Sequence, residues 1–141
     1  MIGKHEAGAL ILRFILGISF FIHGYVKFRD GIENTVAWFE SIGLSGILAY
    51  GVASVELIGG ILLILGLATR LVSVLFAGMM IIATLKVKLA IGFLGNGQMA
   101  GYELDLAFLA MAIYLVLNGS SLLSVGHKIF EKDSENVTKA A

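Results

Sequence analysis

The sequence predicts an all-α fold, an integral membrane four-transmembrane-helix bundle, and three observations predict it. Of 141 residues, 58% are hydrophobic and 14% charged, with a mean hydropathy of +0.94. Soluble domains average about 45–50% apolar and about 25% charged residues. The apolar residues also fall into four runs, each near the ~20 residues a helix needs to cross the hydrocarbon. Short connections join the runs, so residues 1–126 read as a single membrane domain and 127–141 as a polar, mobile cytoplasmic tail.

Met1–Glu6 is a short polar start, and the first span covers about residues 7–26. A cleaved signal peptide would show an apolar core of roughly 7–15 residues and a small-residue cleavage site. This run is longer, holds Arg13 and ends in His23-Gly24-Tyr25, so it reads as a retained helix. In residues 28–45, Ile32, Val36, Phe39 and Gly43 recur at helical spacing, with Glu33 and Glu40 on another face. Together with Trp38, the only tryptophan, that pattern predicts a short interfacial helix between spans one and two; an ordered loop is the alternative.

The second span covers about 46–67, residues 68–70 form a tight turn, and the third covers about 71–89. Lys86 and Lys88, near its end, can snorkel toward the headgroups. Gly92–Gly101, GFLGNGQMAG, reads as a flexible loop. Its glycines make no dinucleotide fingerprint, because no strand precedes them. The fourth span covers about 102–123. Four spans put the N-terminus, the 68–70 turn and the tail on one side with Lys4, Arg70, Lys128, Lys132 and Lys139, which the positive-inside rule assigns to the cytoplasm.

Polar residues inside a bilayer need partners, and helical spacing suggests them. Arg13, Gly17, Phe20, Gly24 and Lys27 form one stripe on the first helix; Glu56, Gly59 or Gly60, Leu63, Gly66 and Arg70 form one on the second. Glycines allow close approach, so the stripes are expected to face each other, with a structural ion pair between Arg13 and Glu56. On the fourth helix the stripe chosen is Glu103, Ala107, Ala110, Tyr114 and Leu117, with Asp105 about 200° round from Glu103. The outer half of the bundle then collects His23, Lys27, Lys86, Lys88, Glu103 and Asp105 in a pocket rimmed by Tyr25, Phe28, Phe93 and Tyr102. Each has a plainer reading: helix locking for Arg13–Glu56, interfacial anchoring for Lys86 and Lys88, packing for His23, an aromatic belt for the tyrosines.

The chain resembles the DoxX-like family over about Leu10 to Ser124. The matching pieces are Arg13…Gly17…His23-Gly24…Lys27, Gly43, Glu56-Leu57-Ile58-Gly59-Gly60…Leu65-Gly66-Leu67-Ala68-Thr69-Arg70, Gly92-Phe93 and Gly101-Tyr102-Glu103. Each is short, and their order and spacing together give the specificity. The resemblance implies a small bacterial four-helix protein of the cytoplasmic membrane, with a link to respiration or redox stress, since relatives include a subunit of thiosulfate:quinone oxidoreductase and proteins of quinone or catechol stress. Two departures stand out: Val87-Lys88 where relatives often have Val-His, and no proline anywhere.

The function expected is binding of a quinone or quinol in that outward pocket. His23, Lys27 and Lys88 would serve as polar ligand groups, Phe20, Phe93 and Tyr102 would line the slot with Glu103, and His23, Glu56 and Glu103 would relay protons. Zero cysteines exclude a thiol nucleophile and a cysteine-held Fe–S or zinc site in this subunit. There is no flavin motif, three histidines argue against a bis-histidine haem, and no ligand spacing supports a metal at His23, Glu56, Glu103 and Asp105. Electrons would come from a redox partner protein, so enzyme status stays open, and a homo-oligomer remains compatible. A net charge of zero offers no nucleic-acid footprint. A non-catalytic anchor subunit of a redox complex is the alternative, and a small-solute transporter a third.

Overall fold

A computed structural model describes residues 3–140, with side chains described through residue 132. The chain is helical, with no strand elements among the described residues: α1 (Lys4–Arg29), α2 (Ile32–Ser41), α3 (Ile47–Leu65), α4 (Thr69–Ala83, continued by a π-helical turn, Thr84–Lys88), α5 (Glu103–Asn118) and α6 (Val125–Ala140). Three stretches, Lys4–Arg29, Ile47–Leu65 and Thr69–Lys88, are long and apolar enough to cross a membrane. The molecule is a helical membrane bundle, with Ile11, Ile15, Ile18 and Ile22 of α1 turned outward.

Helices α1 and α3 run antiparallel and pack backbone to backbone. A Cβ on Gly24 would lie 2.5 Å from the Leu57 nitrogen, and one on Gly60 would lie 2.5 Å from the Phe21 nitrogen. Only glycine permits that approach. Helices α4 and α5 form the other half, and Phe20 joins the halves by stacking on Phe76, with ring centroids 3.8 Å apart, and tilting against Phe108 at 5.5 Å. Leu16, Leu63, Phe76, Ala112 and Leu115 complete the buried core.

The region between the first two apolar runs does contain a helix, α2, which buries Ile32 and Phe39. Helix α3 stops at Gly66, whose left-handed backbone (φ 71°) ends it in a Schellman-type closure, the Leu67 N–H reaching the Leu62 carbonyl. Three features refine the sequence reading. The fourth apolar run is helical only to Asn118, because Gly119 (φ 67°, ψ −164°) breaks it and the following carbonyls turn to Arg13. The stretch at 92–101 is folded on itself: the Asn96 carboxamide accepts from the Gln98 and Met99 amides, and the Tyr102 and Glu103 amides donate to Gly92 and Phe93. The polar tail is helical, as α6, over Val125–Ala140.

Candidate ligand-binding site

Two lysine–carboxylate pairs define the end of the bundle that carries α2. Lys27 Nζ of α1 donates to Glu56 Oε2 of α3 at 2.5 Å, and Lys88 Nζ donates to Asp105 Oδ1 of α5 at 2.7 Å. Both carboxylates are nearly inaccessible, their side chains 8% and 5% exposed. In a bilayer such charges persist only when paired.

The π-turn explains how Lys88 reaches its partner. In an uninterrupted α-helix Lys88, eight residues after Met80, would sit about 80° round the wheel from it. A π-turn spends roughly one extra residue and rotates the chain back toward the Met80 face. Lys88 therefore points into the bundle, where Asp105 waits.

Both pairs face one cavity of about 170 Å3, also lined by Phe20, His23, Met80, Ala83, Leu104 and Phe108. His23 lines the cavity and is also an exposed residue. Asp105 Oδ2 is buried without a hydrogen-bond partner, which leaves one free acceptor in the wall. Beyond the Lys27–Glu56 pair lies an apolar groove of about 290 Å3, walled by Trp38, Phe39, Leu44, Leu48, Val52 and Met79 among others. Lys27, Glu56, Met80 and Ala83 line both spaces, so the ion pair is a partition between a polar chamber and an apolar one.

The structure thus brings together Phe20, His23, Lys27, Glu56 and Lys88 of the residues the sequence singled out. It does not bring Phe93, Tyr102 and Glu103 into that wall. Phe93 and Tyr102 pack edge to face at 5.4 Å in the 92–102 loop, and Glu103 is exposed in the first turn of α5. Asp105 takes the place expected of Glu103. Its stripe, Asp105, Phe108, Ala112 and Leu115, is the buried one, and its 3, 4, 3 spacing was present in the sequence beside the Glu103 stripe.

The expected Arg13–Glu56 pair is overturned. Arg13 donates to the Ser120 carbonyl and hydroxyl at 3.2 Å and to the Leu123 carbonyl at 3.0 Å, while Glu56 belongs to Lys27. The cause is register. Gly17 lies against Gly60 and Leu63, so Arg13 falls beside Gly66, near which its guanidinium indeed sits. Helix α1 runs on to Arg29 and α2 is inserted before α3, and together they displace Arg13 from the level of Glu56 by several residues at ~1.5 Å each.

The arrangement supplies two ammonium donors, an imidazole, one free carboxylate oxygen and an aromatic wall. That suits a flat molecule with polar atoms at its edges. Among the described residues no group of three histidines or carboxylates could hold a metal ion.

A family model described as DoxX matches residues 8–89. The chain is 46% identical over 134 residues to a Bacillus subtilis strain 168 protein named "Putative oxidoreductase CatD", an alignment covering 94% of this chain and 96% of the relative. It is 29% identical over 126 residues to an "Uncharacterized protein" of Haemophilus influenzae Rd, covering 86% of this chain and 90% of the relative. No solved structure matches it.

Proposed function

The chain belongs to the DoxX family, and from that premise we propose that it binds a quinone- or quinol-type molecule at the α2 end of the bundle, in a redox or quinone-detoxification system of the bacterial cytoplasmic membrane. The observation that carries this reading is the pair of buried lysine–carboxylate bridges facing one cavity beside Phe20 and Phe108. A quinone presents two carbonyl acceptors across an apolar ring, and Lys27 and Lys88, from the two halves of the bundle, are donors matched to them. Quinol oxidation releases two protons and two electrons. His23, Glu56 and Asp105 are the nearby proton acceptors. The electrons go to a partner protein; the oxidoreductase name of the Bacillus relative supports redox chemistry as such. The apolar groove past Glu56 suits an isoprenoid tail.

The test uses Trp38, which lines that groove. Titrating the purified protein with a short-chain menaquinone or ubiquinone analogue is expected to quench Trp38 saturably. Lys88→Met, Asp105→Asn and His23→Ala should each weaken binding about tenfold, the equivalent of ~1.4 kcal/mol for one lost polar contact. No saturable quenching, or an affinity indifferent to all three changes in folded protein, would remove the quinone site.

A further inference from the structure

A cavity of about 380 Å3 lies at the other end of the bundle, remote from the two lysine bridges. One wall is the start of α4, where Ala68, Thr69, Arg70 and Leu71 all line the space. This helix has no side-chain cap. Its first backbone bond runs from the Val72 N–H to the Ala68 carbonyl, so the amides of Thr69, Arg70 and Leu71 have no partner among the described residues. Free amides at the positive end of a helix dipole favour an anion.

A second observation points the same way. Thr69 is only 9% exposed, and its hydroxyl is buried without a hydrogen-bond partner although the residue lines the cavity. Arg70 beside it is exposed, and no hydrogen bond or ion pair engages it among the described residues. The opposing carboxylate, Glu6, already has donors of its own: the Ser121 hydroxyl at 2.9 Å and the Ser121 and Leu122 amides at 3.3 Å. Arg13 is bonded to Ser120 and Leu123 behind the wall, and the carboxylate of Glu131 is met by His127 at 3.3 Å, so Arg70 is the guanidinium that lines the space.

We propose that this cavity binds the phosphate group of a phosphate ester. The α4 amides and the Thr69 hydroxyl take one part of the oxyanion, and the Arg70 fork takes another. The space is larger than a bare phosphate, and it admits part of the organic substituent against the serine hydroxyls. A phospholipid headgroup and a soluble phosphate ester offer the same chemistry, and two probes separate them.

Full-length protein in non-ionic detergent would be titrated calorimetrically with glycerol 3-phosphate and, separately, with dihexanoyl phosphatidylglycerol. At least one should bind saturably. Arg70→Gln should weaken it about tenfold or more, Thr69→Val several-fold, and Arg29→Gln, at the α2 end, not at all. Binding of glycerol 3-phosphate identifies a soluble ester; binding of the lipid alone identifies a headgroup. Arg70 is exposed, so its substitution stays informative even if Thr69→Val fails to fold. Binding of neither probe, or binding that Arg70→Gln leaves unchanged, overturns the proposal, and the Trp38 titration at the other end of the bundle is unaffected by either result.

Discussion

At the scale of single residues, the buried charged side chains of this bundle each meet a partner at their own depth. Lys27 shows what that pairing is worth. Lys27→Met would leave the Glu56 carboxylate, 8% exposed, without its cation, and breaking a buried pair from one side costs about 3–5 kcal/mol. Because the Lys27 side chain is 24% exposed, the lower end of that range is expected, read as lost unfolding free energy in a detergent-denaturation series. The double variant Lys27→Met/Glu56→Leu should recover most of the loss, because it removes both charges. A double variant no more stable than Lys27→Met would mean that the stranded charge is not the cause. Arg13 differs in kind: its partners are mainly carbonyls freed where the helix breaks after Asn118, so an irregular backbone segment and a buried cation satisfy each other.

At the scale of elements, α1 against α3 is the rigid half, and it depends on glycine. Gly60→Ala would push a methyl to 2.5 Å from the Phe21 nitrogen and 2.7 Å from the Gly17 carbonyl, and neither backbone can yield without moving a helix. A loss on the order of 1–3 kcal/mol is expected. Gly51→Ala, in the same helix with nothing within 4 Å, should be neutral or slightly stabilising through helix propensity. Equal effects at the two positions would refute the close approach. The glycine stripes and the facing of α1 and α3 were legible in the sequence, since small residues at helical spacing leave few other packings in lipid. The register was not legible. It depends on where α1 ends and how much chain α2 absorbs, and hydropathy does not encode either, which is why Arg13 was assigned to Glu56. The π-turn was equally hidden, and without it Lys88 reads as a headgroup anchor rather than the partner of Asp105. The choice between the Glu103 and Asp105 stripes needed knowledge of which side of α5 meets Phe20.

At the scale of the whole molecule, the open question is how the shortest apolar helix sits in the bilayer. Helix α5 has 16 residues, about 24 Å at ~1.5 Å per residue, against a hydrocarbon thickness of ~30 Å. The non-helical stretch after it is folded against Arg13, Glu6 and Gly66, so its polar backbone is met by protein rather than lipid. A short helix finished by a protein-covered segment can still cross, with the bilayer thinning locally. We therefore expect four crossings with both termini in the cytoplasm, as the lysine distribution favours. The absence of cysteine makes this directly measurable. Single cysteines placed at Lys4, Lys128, Glu33 and Met99, all exposed positions, would be labelled with a membrane-impermeant maleimide in intact cells and again after lysis. Labelling of Glu33→Cys and Met99→Cys in intact cells, with Lys4→Cys and Lys128→Cys reacting only after lysis, is the expected pattern. If Lys128→Cys instead labels from outside while Lys4→Cys does not, α5 fails to cross, the bundle has three spans, and the Lys88–Asp105 bridge must be held at the membrane surface rather than within it.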